Sequence, residues 1–227
     1  KKGISFMKEE NKDGQEPEKE QLLSSLRNAE EMYVFMSLCT KMPYVLCDEE
    51  TFDDEVLLYY TEEDAQREGK KLIEQRIPIQ IAKIEKKQLL GFFSSLYPMG
   101  VNGLLINKNM ESEARLQLGE LVIRPNTEDL PDGKVWVENP QLHLTALYFM
   151  QEMRRQEKPE LTEELKGLQE EILVNYGRGR FIVAVHKENG MPMLKQKNGD
   201  AYQPIFTDIL EFRKFNKEDQ FKTMAIE

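Results

Sequence analysis

Apolar residues along this chain change period repeatedly, and each change marks an element. Leu22, Leu26, Ala29 and Tyr33 recur at helical spacing, which predicts an amphipathic helix ending near Glu31. Met32 to Leu38, Tyr44 to Cys47 and Glu55 to Tyr60 are short apolar runs rich in β-favouring types and read as three strands. Thr61 then offers a helix cap. Glu62, Glu63 and Asp64 fill the first turn, where the positive end of the helix favours acids, and this helix should reach about Gln75. Pro78 opens a strand over 77–84, which suggests a strand start or a sheet edge. Leu89, Phe92, Phe93 and Leu96 give a short helix over 86–97, and Gly100 and Gly103 bracket a turn into the strand 104–107.

The middle of the chain alternates less cleanly. Leu116 to Arg124 reads as a strand, Asn126 to Lys134 as a loop, and Val135-Trp136-Val137 as a short extended piece. Asn139 then caps, and Pro140 opens, a helix with Leu142, Ala146, Phe149, Met150 and Met153 on its apolar face; Pro159 breaks it. Leu161, Leu165, Leu168 and Ile172 mark a second helix. Beyond it come a strand at Phe181 to His186, an Asn189-Gly190 hairpin turn expected to be type I′, a return over Met191 to Lys195, and a turn at Asn198-Gly199. Another strand runs from Tyr202 to Phe206. Thr207 or Asp208 caps the last helix, with Glu211 placed to close a capping box.

These elements repeat. Met42-Pro43 precedes Val56 to Ala65 in the first half, and Met191-Pro192 precedes Pro204 to Phe212 in the second. Pairing Pro43 with Pro192 and Thr61 with Thr207 leaves a difference of three residues between the copies, which one connecting loop absorbs. Extending that match sets Glu227 against Ile81, so the second copy is expected to lack counterparts of residues 82–107.

Composition narrows the function classes. With 31 basic against 41 acidic residues the net charge is −10, so no basic stripe for nucleic acid is expected. No run approaches the apolar length of a membrane span. The start Lys1-Lys2-Gly3 is followed by no apolar stretch, so a secretory signal is not expected. Cys39 and Cys47 are the two cysteines, too few for a disulfide framework, and read as buried thiols in a reducing compartment.

Candidate chemistry is sparse. Gly177-Arg178-Gly179-Arg180 lacks the third glycine of a dinucleotide loop and follows a helix rather than a strand; Gly177 reads as a helix C-cap. His143 and His186 are the two histidines, and neither has further metal ligands at close spacing. The acids at 48–50 and 53–55 flank a loop without the spacing of an EF-hand. Trp136 is the single tryptophan and the best candidate for an interface anchor, with Arg178 and Arg180 available to an acidic partner.

The stretch Leu57-Leu58-Tyr59-Tyr60-Thr61-Glu62-Glu63-Asp64-Ala65 resembles the strand-and-cap element of SseB N-terminal domains. Pro204-Ile205-Phe206-Thr207-Asp208 resembles it again, and Gly103-Leu104-Leu105-Ile106-Asn107 is similar to that domain's closing strand. The resemblance implies a bacterial protein with one complete copy over about 30–108 and a partial copy over 178–227, and it brings no catalytic residue.

The expectation is an α+β (mixed α/β) protein of two similar sheet-plus-helix modules joined by a helical connection. Residues 1–18 form a disordered tail, 19–125 the first module, 126–177 a linker with two helices, and 178–227 a second module incomplete at its C-terminus. Catalytic, cofactor and metal residues are not assigned; Trp136, Arg178 and Arg180 are the interface candidates. The expected role is a non-enzymatic cytoplasmic protein-interaction or regulatory module with an unidentified protein partner, a homodimer being one option. The alternative is a small-ligand sensor with a pocket between the modules. An enzyme would need Cys, His and acids gathered from distant segments.

Overall fold

A computed structural model describes residues 15–227 apart from 125–129, 131–133, 157, 159 and 187. The first half contains α1 (Gln15–Asn28), β1 (Glu31–Ser37), β2 (Val45–Cys47), β3 (Asp54–Tyr59), α2 (Glu62–Glu74), β4 (Ile79–Glu85), α3 (Lys86–Leu96), β5 (Gly103–Ile106), β6 (Ala114–Gln117) and α4 (Leu118–Leu121). Two longer helices follow, α5 (Pro140–Arg155) and α6 (Glu163–Arg178). The second half contains β7 (Phe181–His186), β8 (Leu194–Lys195), β9 (Ala201–Tyr202), β10 (Ile205–Phe206), α7 (Ile209–Phe215) and β11 (Phe221–Ile226). The mixed α+β class expected from the sequence is the class observed.

The larger sheet has the order β4-β1-β3-β5-β6, with β2 on β3; β3 and β5 are parallel and the other pairs antiparallel. Alternation along the strands divides its side chains between two layers. Tyr33, Phe35, Leu57 and Tyr59 meet Ala65 of α2 on one face. Met32, Val34, Val56 and Leu58 meet Leu26 of α1, Phe93 and Leu96 of α3, and Leu144 and Leu147 of α5 on the other. Each of three helices starts where its sequence supplies a cap. The Thr61 hydroxyl accepts the Asp64 N–H at 3.2 Å, Glu85 and Gln88 form a capping box, and the Thr162 hydroxyl accepts the Leu165 N–H at 3.2 Å.

The smaller sheet has the order β10-β7-β11, both pairs antiparallel, which is the arrangement of β3-β1-β4. Register makes the match residue by residue. Tyr33 pairs with Tyr59 and Lys83; Ile182 pairs with Phe206 and Ala225. As α2 covers the Tyr33 face, Phe212 of α7 covers the Ile182 face. The hairpin recurs too: Glu55 pairs with Leu46 in the first unit, and Tyr202 with Leu194 in the second. In the second unit the strand equivalent to β3 is split into β9 and β10 around Gln203-Pro204. Pro204 sits where Leu57 lies in β3 and has no N–H for the ladder.

Several expectations need correction. Asp208, not Thr207, occupies the place of Thr61, because both are the N-caps of their helices. The second unit also reaches further than the sequence match implied. Helix α7 has 7 residues where α2 has 13, so β11 arrives early and fills the position of β4. Residues 178–227 thus match the first unit through β4. Tyr33 belongs to β1, not to a helix, since α1 ends at Asn28, whose side-chain amide donates to the Ser24 carbonyl at 2.8 Å. Helix α1 begins at Gln15, inside the segment expected to be a disordered tail; residues 1–14 lie outside the described residues. The expected strand 116–124 is β6 followed by the helical turn α4, because Leu118 and Leu121 are buried at a spacing of three. Val135-Trp136-Val137 joins no sheet, and the loop 126–134 and Pro159 fall largely or wholly outside the described residues.

The turn after β7 is not type I′: His186 bridges to Gly190, Gly190 has φ 72° and Asn189 has no positive φ. Met191 to Lys195 does not return along β7, since β8 pairs with β9 instead. The C-cap of α6 is Gly179 rather than Gly177. A Cβ on Gly179 would lie 2.6 Å from the Phe181 ring and 2.7 Å from Asn139 Oδ1, so the close approach of α5, α6 and β7 there requires glycine. Cys39 is half-buried and Cys47 exposed, both free. Partial burial and the acids around it push the Cys47 thiol up, away from thiolate reactivity.

Helix α5 is bound to both units. Its Leu142, Leu144 and Leu147 are buried, and buried Gln151 bonds the backbone of Val45 twice: the Val45 N–H donates to Oε1 at 3.3 Å, and Nε2 donates to the Val45 carbonyl at 3.1 Å. The amide thus completes the free side of β2. At the other end of α5, Asn139 makes no side-chain cap bond. Its Nδ2 donates instead to the carbonyls of Arg180, at 2.6 Å, and Thr207, at 2.8 Å, at the start of β7 and the end of β10.

Candidate functional site at the seam between the two units

The first turns of α5 and of α7 meet where the two units adjoin. His143 follows Asn139 by one turn and is 9 % exposed; Asp208, the cap of α7, is 1 % exposed. His143 Nδ1 stands 3.5 Å from Asp208 Oδ2, beyond the usual hydrogen-bond length, and has no hydrogen-bond partner among the described residues. Asp208 is held from three directions. Its Oδ1 accepts the N–H groups of Leu210 at 2.8 Å and Glu211 at 3.0 Å, and its Oδ2 accepts the Thr207 hydroxyl at 2.8 Å. Burial pushes this carboxyl up, but the His143 imidazole, the Glu211 N–H and the Thr207 hydroxyl outweigh it and hold it below the usual carboxylate range. Glu211 makes no capping box; its carboxylate pairs with Lys214 one turn on.

These groups stand at the polar end of a cavity of about 340 Å³. Val34 and Met36 of β1 and Ala82 and Ile84 of β4 form its floor, and Phe92, Ser95 and Met99 form one wall. Met42, Pro43 and Leu210 close the other side, with Lys41 and Lys214 beside them. The floor is the sheet face that α3 leaves partly uncovered, and the lid is α7 of the second unit. The volume falls in the range of small-molecule pockets, and an apolar lining with few convergent polar groups is their usual character. Hydroxyls at the cavity are engaged: Ser95 donates to the Phe92 carbonyl at 2.7 Å, and Thr207 to Asp208. The arrangement offers an imidazole, two carboxylates and two ammonium groups around an apolar hollow, without a thiol among its lining residues.

The residues singled out from the sequence lie elsewhere. The segment around Trp136 runs beside the smaller sheet, with Val137 in the core of Ile182, Ala184 and Phe212; Trp136 is half-buried, and no described residue bonds its Nε1. Arg178 is exposed at the end of α6, and Arg180 pairs with Glu227. Among the described residues no hydrogen bond, ion pair or cation–π contact joins Trp136 to either arginine. His186 is structural: its Nδ1 accepts the N–H groups of Glu188 and Asn189 at 3.1 and 3.2 Å and fastens the turn after β7.

Three of the acids at 48–55 are engaged within their loop and with its neighbours, while Glu55 pairs with Arg115 through Oε1 and its buried Oε2 has no partner among the described residues. Asp48 accepts the Glu50 and Thr51 N–H groups and pairs with Arg115, Asp53 accepts Asn102 and Gln117, and Asp54 accepts the Tyr148 hydroxyl. The His143–Asp208 meeting was not anticipated. The available signal was an imidazole inside the run Leu142-His143-Leu144-Thr145, all four of which are buried.

No helix among the described residues is long and apolar enough to cross a membrane. No family model matches the chain, and no curated protein sequence does. Among solved structures, Tic22 from Plasmodium falciparum is similar at 14 % identity and a TM-score of 0.25, over 91 % of this chain and 82 % of that one.

Proposed function

We propose that this protein is a non-enzymatic regulatory module of the SseB type that acts by binding a small amphiphilic molecule in the cavity between its two units. The observation behind this reading is the cavity itself, an apolar hollow of about 340 Å³ with His143, Asp208, Glu211 and Lys214 converging at one end. The ligand this shape fits has an apolar body, which lies on Met36, Ala82 and Phe92, and a polar end directed at His143. Because the walls come from both units, occupancy would change how firmly the units are held together, which is how binding becomes a signal. The setting we propose is the bacterial cytoplasm.

A hydrophobic fluorescent probe with an anionic head, anilinonaphthalene sulfonate, tests the site. Saturable binding of one probe per chain is expected, and filling the cavity by Ala82→Leu together with Ser95→Leu should weaken it at least about tenfold, or roughly 1.4 kcal/mol, without lowering the unfolding temperature. Unchanged binding in the filled variant would overturn the assignment.

A second reading, a protein-interaction surface, is favoured by α6. It buries Leu165 but exposes Leu173 (64 %), Val174 (50 %) and Tyr176 (52 %). Self-association through that face would show as a sedimenting mass that rises with concentration.

A further inference from the structure

We propose that His143, Asp208 and Glu211 form a binding site for a divalent transition-metal ion of the Zn²⁺ class. One ligand atom from each lies within 4.8 Å of the others. A separate observation points the same way: His143 is only 9 % exposed, yet its Nδ1 has no hydrogen-bond partner among the described residues. A buried imidazole nitrogen without a partner is costly, and a coordination bond would satisfy it.

The spacing fits. Tetrahedral zinc, with bonds of about 2.0–2.1 Å to nitrogen and oxygen, sets neighbouring ligand atoms about 3.3 Å apart. Nδ1 and Asp208 Oδ2 are separated by 3.5 Å, long for a hydrogen bond and close to that edge. One imidazole with two carboxylates suits a borderline ion; calcium would want six or more oxygens. The bonds from Leu210, Glu211 and Thr207 to Asp208 would fix the orientation of that ligand, the usual role of groups behind a metal shell. The fourth position would open on the apolar cavity.

Two features oppose binding and limit its strength. The Lys214 ammonium occupies Glu211 and must move aside, and the positive end of the short helix α7 disfavours a cation. The first gives a distinctive expectation, because removing Lys214 should tighten the site.

Calorimetric titration of the chelator-treated full chain with Zn²⁺ alone tests the proposal, and needs no organic ligand, so it fails or succeeds apart from the amphiphile reading. One ion per chain is expected. His143→Gln and Glu211→Gln should each weaken binding by at least the about 10–100-fold that loss of a group behind a ligand costs, and Lys214→Met should strengthen it several-fold. Cobalt substitution should give visible bands without thiolate charge transfer, which separates this site from Cys39 and Cys47. Absence of a one-to-one isotherm would overturn the site. So would an isotherm unmoved by Glu211→Gln and Lys214→Met, both of which alter side chains outside the core and keep the test open if His143→Gln misfolds.

Discussion

Replacing Gly100 with alanine should destabilise the protein by about 2–6 kcal/mol, combining a backbone cost of about 1–3 kcal/mol with an overpacking cost of similar size. Gly100 has φ 88°, where L side chains are strained. A Cβ there would also lie 2.7 Å from the Pro140 carbonyl oxygen and 2.9 Å from Leu144 Cβ. The first turn of α5 therefore packs directly on the backbone that leads into β5, and neither side can yield without moving the helix that presents His143. Urea unfolding should show a lower midpoint at unchanged slope. Gly91 provides the control, since it lies within α3 and a methyl group added to it would meet nothing within 4 Å; Gly91→Ala should be neutral or slightly stabilising. A loss below about 1 kcal/mol for Gly100→Ala, under one tenfold change in the folding equilibrium, would mean that α5 does not sit against this turn.

Gln151→Leu should cost about 2–6 kcal/mol, as two buried backbone groups lose their partners at about 1–3 kcal/mol each. Val45 lies in β2, opposite Val56, and its N–H and carbonyl turn away from β3 toward the Gln151 amide. A leucine fills the space but offers neither donor nor acceptor. Besides the lower urea midpoint, hydrogen exchange at the Val45 amide should accelerate well beyond that at Val34 in β1. Equal stability of Gln151→Leu and the parent protein would show that water reaches β2 and that α5 does not seal it.

Features set by near neighbours were legible in the sequence, and features set by distant ones were not. Thr61 and the acids after it announce α2, and the apolar spacing of Leu89, Phe93 and Leu96 announces α3, because caps and faces are local. The repeat was legible in the order of its strands and capped helix, whereas its register was not. Thr207 matches Thr61 by type, but the side chain that accepts the helical N–H groups is that of Asp208. Tyr33 continues the spacing of α1 by coincidence; the seven-residue pairing of β1 with β4 decides its state. Gly177 was a plausible cap by type, yet Gly179 is the position where Phe181 and Asn139 leave no room for a Cβ.

The seam was the least legible part. Asp208 could be recognised as a cap and His143 as a helical residue, but nothing local says that α5 and α7 start beside each other. That follows from Asn139, which turns its amide across to Arg180 and Thr207 instead of capping its own helix. Trp136 stands out by its type, while the cavity is built from ordinary, partly buried apolar residues such as Met36, Ala82 and Phe92 that α3 leaves partly uncovered.

Methionine methyl groups offer the most direct view of the seam, because Met36, Met42 and Met99 line the cavity while Met153, Met193 and Met224 do not. With carbon-13 methyl-labelled protein, titration with a compound that binds the chain should shift or broaden the first three signals together and leave the other three in place. Shifts confined to Met193 or Met224, with Met36, Met42 and Met99 unmoved at saturation, would contradict binding between the two units.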